Sequence, residues 1–186
     1  MTRCENPGIL KERSAIDRRA TLLAACLLVL SVSLCGGQDS SVFVVREHTP
    51  EPAFTLPDVN GRPVSSKNFA GKVAVVSFGA TWCASCVSEL RSLANLQTRF
   101  VDDLVVYFVA LDGRGEKDVK PFMEKTGFRL RTLLDPRMDA AREHGVRSIP
   151  ETVIVDPQGV IVARAVGPRV WDGKEAQDLV QSLIKR

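Results

Sequence analysis

Two cysteines, Cys83 and Cys86, follow a continuous apolar run in the middle of the chain. The run, Val73–Phe78, predicts a strand buried on both faces, as in the centre of a sheet with parallel strands. Apolar residues then recur at helical spacing, so Cys83 is predicted to lie at a helix start, where unpaired N–H groups favour a thiolate. Cys86 follows one turn later on the same side. This pattern predicts a redox-active dithiol, in which Cys83 attacks a disulfide and Cys86 resolves the mixed disulfide.

Two other roles are compatible with such a pair of cysteines. The first is a buried structural pair, and the second is half of a zinc site, which needs two more ligands. His48 and His144 are the histidines of the chain, and neither belongs to a paired ligand motif. We therefore predict no metal site, and nothing in the sequence calls for a cofactor.

Three motifs stand in a fixed order along the chain. Trp82-Cys-Ala-Ser-Cys86 follows the buried strand, Pro52–Val64 and Asn68–Lys72 precede it, and Gly145–Asp156 contains Ile149-Pro150 ahead of an apolar run. Together they resemble the thioredoxin superfamily, in particular the exported, membrane-tethered TlpA, ResA and DsbE type. That type shares its N-terminal hairpin with the AhpC/TSA peroxiredoxins.

The resemblance covers residues 50–186 and implies a fold. We expect an α/β, thioredoxin-like fold with a central mixed sheet flanked by helices, an N-terminal hairpin and a TlpA-type insertion at Leu111–Leu134. The alternation of strand and helix patterns is consistent with this expectation. The predicted strands are Val73–Phe78, Val105–Ala110, Arg131–Leu134, Thr152–Val155 and Val160–Ala165, and the predicted helices are the one opened by Cys83, Glu116–Lys125, Asp139–His144 and Glu175–Ile184.

The resemblance also assigns roles to residues around the cysteines. It implies a redox-active Cys83–Cys86 disulfide and a cis Pro150 facing it, with the backbone of Ile149 pairing with a bound client. Trp82 is expected to shape the client surface.

Glu89 lies one helical turn beyond Cys86. In ResA-like proteins a glutamate at this position tunes the cysteine pair, so Glu89 is a candidate proton shuttle to Cys86. A solvated glutamate on the helix surface is the alternative. For Glu151, which follows Pro150, a role of the DsbE type and a surface position are both open.

Three departures from the family pattern bear on the redox poise of the pair. Ser77 stands where thioredoxin has a buried aspartate, and Gly79 replaces a common tryptophan. The dipeptide between the cysteines, Ala84-Ser85, lacks the proline often found there. The redox potential therefore does not follow from the resemblance.

The first 50 residues have a different composition from the rest. Arg18-Arg19 precede an apolar run, Ala20–Leu34, and small polar residues follow it, which is the pattern of an export signal. The run is shorter than the about 20 residues that cross a bilayer comfortably. We predict an export signal or membrane anchor at residues 1–37, a linker at 38–50 and the thioredoxin-like domain at 51–186. Cys35 is the candidate lipidation site, with Cys26 and an uncleaved anchor as alternatives.

Composition excludes some classes of partner. The net charge is only +3 and the basic residues are scattered, so no nucleic-acid partner is expected. The sequence predicts an exported protein on the periplasmic side of the cell envelope, tethered to the membrane through its N-terminus.

The predicted activity is thiol–disulfide exchange, in the direction of a reductase. By resemblance, electrons come from a membrane thiol donor, and the client is an apocytochrome c or a copper-site assembly protein. Two other functions are weighed. A peroxiredoxin-type peroxidase would place a threonine three positions before its cysteine, whereas Thr81 stands two before Cys83. A Sco-type copper chaperone spaces its cysteines by three residues and uses a distal histidine, for which His144 is the candidate.

Overall fold

The computed structural model describes residues 45–69 and 71–185. Within this part of the chain, the strands in chain order are β1 Val45–Pro50, β2 Thr55–Pro57, β3 Pro63–Ser65, β4 Val73–Gly79, β5 Leu104–Ala110, β6 Arg131–Leu134, β7 Glu151–Val155 and β8 Val160–Val166. The helices are α1 Ala84–Arg99, α2 Glu116–Thr126, α3 Asp139–Glu143 and α4 Lys174–Ile184.

A mixed six-stranded sheet forms the centre of the described chain. Its strand order is β1-β8-β7-β4-β5-β6, while β2 and β3 form a separate antiparallel hairpin. Strand β4 pairs in parallel with β5 and antiparallel with β7. Every residue of β4 and β5 is buried, because helices or the hairpin cover both faces of these strands. The predicted mixed sheet flanked by helices is confirmed.

Successive residues of β4 point to opposite faces and so belong to two hydrophobic clusters. Val73 and Val75 join the cluster that contains the buried side chains of α1, α2 and α4. Val76 and Phe78 join the cluster on the other face, with side chains of β2 and of α3. Ser77 and Gly79 therefore lie on the face covered by α1, which is the helix that carries the second cysteine.

The predicted helices and strands are confirmed within one or two residues of their ends. The predicted linker 38–50 is wrong at its end, since Val45–Pro50 is a strand that pairs antiparallel with β8. This segment lacks apolar alternation, and its residues His48, Thr49 and Pro50 are exposed at the edge of the sheet. Pro50, which has no N–H to donate, is acceptable at such an edge.

The predictions for residues 1–37, including Cys26 and Cys35 as lipidation candidates, lie outside the described residues. In the described part of the chain, no helix has both the length and the apolar character that crossing a bilayer requires.

Candidate active site

Cys83 and Cys86 form a disulfide at the N-terminus of α1. The S–S distance is 2.14 Å and the Cα atoms are 5.2 Å apart. Cys83 is the N-cap residue of the helix, and its Sγ accepts a hydrogen bond of 3.2 Å from the backbone N–H of Cys86. Cys83 is 9% exposed and Cys86 only 1%. The outer sulfur can therefore meet another protein, whereas the inner one can react only with its neighbour.

The position of Cys83 favours a negatively charged sulfur after reduction. Helix N-termini carry unpaired N–H groups and the positive end of the helix dipole, and both stabilise an anion placed there. The N–H of Cys86 already points at the Cys83 sulfur. This is the environment in which a cysteine becomes a good nucleophile.

The loop before β7 lies against the disulfide. The Ile149–Pro150 peptide bond is cis, and Ile149 packs against a small cluster formed by Ala80 and the two cysteines. The Pro150 carbonyl accepts a hydrogen bond of 2.8 Å from the Gly167 N–H, so this loop is tied to the end of β8. The structure thus brings together Cys83, Cys86, Ile149 and Pro150.

Glu151 is buried rather than on the surface, where one of the two sequence interpretations placed it. It is 3% exposed, and its carboxylate receives Arg164 Nη1 at 2.5 Å and the Arg147 N–H at 3.3 Å. These bonds connect the loop before β7 with the interior strand β8. Glu151 therefore holds the loop that carries Pro150.

Glu89 is also buried, at 2% exposure, and its carboxylate is surrounded by hydrogen-bond donors. Ser77 Oγ donates to Oε1 at 3.0 Å and the Arg169 N–H donates to Oε2 at 3.1 Å. The nearby Trp171 side chain also favours the ionised carboxylate. Burial nevertheless outweighs these bonds, and the pKa of Glu89 lies above its ordinary value of 4.5. The alternative of a solvated surface glutamate is excluded.

Asp112 ties the loop that carries Trp82 and Cys83 to the end of β5. It is 1% exposed, and its two carboxylate oxygens accept the Thr81 N–H at 3.2 and 3.1 Å. The Thr81 hydroxyl donates to Oδ1 at 2.5 Å. Sequence reasoning missed this contact. The only local signal is a carboxylate placed directly after a fully apolar strand, at the sheet end where Cys83 is also predicted.

Gly79 leaves room for the inner cysteine. A Cβ at this position would lie 2.8 Å from Phe108 Cε2, 3.0 Å from Cys86 Cβ and 3.3 Å from Cys86 Sγ. Phe108, on the neighbouring strand β5, thus fills the space that a side chain at position 79 would need. This explains why glycine replaces the tryptophan common in the family.

Trp82 and His144 differ sharply in exposure. Trp82, next to Cys83, is 72% exposed. His144 is 2% exposed, packs against Phe54 and Phe78, and has its Nδ1 2.8 Å from the Ala140 carbonyl oxygen. It lies on the face of the sheet opposite α1. Among the described residues, no three His, Cys, Asp or Glu side chains form a group that could hold a metal ion.

Comparisons with known proteins show which family the chain belongs to. The family model "AhpC/TSA family" matches residues 48–164. Thiol:disulfide interchange protein DsbE of Allochromatium vinosum is 31% identical over 179 residues, which cover 91% of this chain and 93% of that protein. Thiol-disulfide oxidoreductase ResA of Bacillus subtilis is 28% identical over 154 residues, 81% of this chain and 86% of that one.

Solved structures are similar in fold. A putative DsbE from Chlorobium tepidum superimposes with a TM-score of 0.69 at 22% identity, covering 76% of this chain and 99% of that one. The thioredoxin domain of a thiol-disulfide oxidoreductase from Bacteroides vulgatus gives a TM-score of 0.65 at 27% identity, covering 76% and 99%.

Proposed function

Because the chain belongs to the AhpC/TSA family and is a thiol–disulfide oxidoreductase of the ResA and DsbE type, we propose that it reduces disulfides of client proteins through Cys83 and Cys86. One observation carries this proposal. Cys83 caps α1 at the surface, while Cys86 is buried directly behind it and bonded to it. A pair in which only one sulfur is accessible suits sequential attack and resolution.

The reaction transfers two electrons from the dithiol to the client. The Cys83 thiolate attacks a client disulfide, an S–S bond forms between Cys83 and one client sulfur, and the other client sulfur leaves as a thiolate. Cys86 then attacks the Cys83 sulfur, which closes the Cys83–Cys86 disulfide and releases the second client thiolate. The two leaving thiolates take up the protons that the dithiol has lost. A second dithiol, supplied by a membrane thiol donor, returns the pair to its reduced form.

Glu89 is proposed to hold the proton that the inner thiol must lose. Cys86 is buried, so its thiol needs a neighbouring base before it can attack. Glu89 lies one helical turn from Cys86. Its pKa is raised, so it is closer to neutral pH than that of an ordinary glutamate, which helps Glu89 to take up and release a proton there. Trp82 and the backbone of Ile149 are proposed to contact the client on either side of Cys83.

The cellular setting is proposed from the sequence of the N-terminal residues and from the resemblance. The protein would act outside the cytoplasm, on the periplasmic side, anchored through residues 1–37 with Cys35 as the lipidation candidate. Its clients would be an apocytochrome c or a copper-site assembly protein.

Trapping of the client tests the proposed reaction. The Cys86→Ala variant cannot resolve the mixed disulfide, so it should accumulate a covalent adduct through Cys83 that dithiothreitol releases and mass spectrometry identifies. The matched controls are Cys83→Ala, which should trap nothing, and the double variant. If Cys83 in the single variant is reduced and accessible to alkylation but no adduct forms in cells, client reduction is the wrong function.

The direction of electron transfer and the cellular location of the protein need separate measurements. Acid quenching of growing cells followed by alkylation should find Cys83 and Cys86 mainly as the dithiol, whereas an oxidase would be found mainly as the disulfide. A maleimide that cannot cross the inner membrane should label reduced Cys83 in spheroplasts. Labelling that requires lysis would contradict the proposed location.

The structure does not favour the two other functions. The Thr81 hydroxyl, which a peroxidase would aim at its substrate, donates to buried Asp112. His144, the candidate copper ligand, packs between Phe54 and Phe78 on the face opposite α1.

A further inference from the structure

One end of the central sheet carries all the loops around the disulfide. Strands β4, β5 and β6 are parallel and finish at this end, where antiparallel β7 begins and β8 finishes. We call it the active-site end. Cys83 follows β4 here, and Pro150 immediately precedes β7.

Four loops at the active-site end each contain an arginine. Arg114 follows β5, Arg137 follows β6, Arg147 precedes β7 and Arg169 follows β8. Three carboxylates of the same loops are buried and already bonded: Asp112 to Thr81, Asp135 to the N–H groups of Asp139 and Ala141, and Glu151 to the Arg164 side chain and the Arg147 backbone N–H. These buried acids do not offer negative charge to a partner.

Two of the four arginines form salt bridges with neighbouring acids, whereas the charge of Arg169 acts on the buried Glu89 carboxylate. Arg114 pairs with Asp118, and Arg137 pairs with Asp139 at 2.8 Å. Within residues 45–69 and 71–185, neither Arg147 nor Arg169 forms a salt bridge with an exposed carboxylate. Arg147 is exposed, and the half-buried guanidinium of Arg169 donates to the carbonyls of Val166 and Pro168.

Arg147 and Arg169 lie in two loops that a hydrogen bond joins, and one of these loops carries Pro150. Arg147 is three residues before Pro150 in that loop. Arg169 is two residues beyond Gly167, whose N–H is bonded to the Pro150 carbonyl. Both arginines therefore lie at the active-site end, in the loop that carries Pro150 and in the loop bonded to it.

Exposed apolar side chains accompany these charges. Trp82 is 72% exposed, Val166 47% and Val170 74%. Trp82 adjoins Cys83, and Val166 ends β8 opposite Glu151. Exposed apolar groups at the same end as arginines that pair with no exposed acid of the described chain indicate a surface that a partner of opposite charge covers. The nearest acids along the chain that are not buried are Glu143, which is exposed, and Asp172, which is half-buried and bonded to Asn95 on α1.

We propose that this surface, formed by Trp82, Arg147, Val166, Arg169 and Val170, selects client segments in which acidic residues flank the reactive disulfide. This proposal rests on the proposed reductase function and adds the chemical class of the client. Apolar client residues contact Trp82 and the two valines, while client carboxylates meet Arg147 and Arg169. The chemical step is unchanged: Cys83 and Cys86 give two electrons to the client disulfide.

Synthetic peptides can test this selection. Three peptides share one intrachain disulfide and differ only in flanking residues, which are Glu, Gln or Lys. The reduced protein is mixed with each oxidised peptide, and each rate is divided by the rate at which dithiothreitol reduces the same peptide, so that intrinsic reactivity cancels. At about 0.01 M ionic strength, where the Debye length is about 30 Å, the Glu peptide should react about tenfold faster than the Lys peptide. At about 1 M the ratio should approach one.

Charge variants assign the effect to the two arginines. Arg147→Gln and Arg169→Gln should each reduce the Glu-to-Lys ratio several-fold at low ionic strength. Arg147 has no contact with Glu89, so its variant separates client charge from any effect on that carboxylate. Arg99→Gln is the matched control, because it removes the same charge at the opposite end of α1 and should leave the ratio unchanged.

The possible failures are distinguishable. A ratio near one at low ionic strength, or a ratio that persists in both arginine variants, overturns the acidic selection while peptide reduction itself stands. If no peptide is reduced although dithiothreitol converts Cys83 and Cys86 between their two states, the reductase function fails and the selection fails with it.

Discussion

At Glu89, burial and hydrogen bonding act on one carboxyl group in opposite directions. Burial raises the pKa, while Ser77, Trp171 and the Arg169 N–H lower it, and burial is the larger effect. The folded chain therefore holds the Glu89 proton more tightly than the unfolded chain does. The associated stability is fully present below pH 4.5 and is lost as the pH rises through the raised pKa.

Glu89→Gln should abolish the loss of stability that accompanies the titration of Glu89. The free energy of unfolding of the variant should fall less than that of the wild type as the pH rises from 4.5, because an amide does not titrate. Chemical denaturation over a series of pH values measures the difference. Glu143→Gln, a change of the same kind at an exposed site, is the control. Parallel curves for Glu89→Gln and wild type would show that Glu89 does not titrate differently in the two states.

Ser77→Ala should move the Glu89 titration upward. The Ser77 hydroxyl donates to Oε1 and stabilises the carboxylate, so its removal raises the pKa of Glu89 further. Carbon-13 NMR of the labelled carboxyl group reads this shift directly. Ser88→Ala, whose hydroxyl bonds the Ser85 carbonyl instead, should leave the titration in place. An unchanged midpoint of the Glu89 titration in Ser77→Ala would show that the Ser77 hydroxyl does not affect the pKa of Glu89.

The strand β4 and the helix α1 meet closely at Gly79. Gly79→Ala brings a Cβ within 2.8 Å of Phe108 and 3.0 Å of Cys86 Cβ, so we expect a loss of about 1–3 kcal/mol in unfolding free energy. Phe108→Leu shortens the opposing side chain and should recover part of the loss in the double variant. A double-mutant cycle measures the coupling. If the losses in unfolding free energy of the two single variants simply add in the double variant, Phe108 is not the side chain that the new Cβ at position 79 meets.

Asp112 secures the loop between β4 and α1 from the neighbouring strand. The Thr81 N–H and hydroxyl both donate to the Asp112 carboxylate, and Asp112→Asn removes its charge and one of its two acceptor oxygens. The variant should lose about 1–3 kcal/mol of unfolding free energy, and its reduced Cys83 should be alkylated faster. Half-buried Asp118, which pairs with the exposed Arg114, supplies the control, since Asp118→Asn should change stability by less than about 0.5 kcal/mol. Equal alkylation rates in wild type and Asp112→Asn would contradict this positioning role.

Elements were predictable from sequence where the signal is local. The apolar run of β4, the helical spacing after Cys86 and the proline before β7 each occupy a few consecutive residues. The contacts that join distant segments were not predictable in this way. Thr81 meets Asp112 across 31 residues and Glu89 meets Arg169 across 80, and no local pattern marks either pair. Strand β1 was missed because its residues His48, Thr49 and Pro50 are exposed and give no apolar alternation.

At the scale of the whole molecule, β1 extends the sheet beyond β8. A chain that begins at residue 51 should be less stable than one that begins at residue 45, by about 0.5–1.5 kcal/mol for each backbone hydrogen bond lost from the pairing of Val45–Pro50 with β8. Thermal and denaturant unfolding of the two chains measure this difference. Equal stability would show that β1 contributes nothing to the fold.

The place of β4 in the strand order has a consequence for how the protein loses activity. Strands β7 and β8 separate it from one edge strand, and β5 separates it from the other. Fraying begins at edge strands, and fully buried central strands open only with the whole domain. Amide protons of Val75 and Val76 should therefore be among the slowest to exchange with deuterium. Inactivation by denaturant should then coincide with global unfolding instead of preceding it.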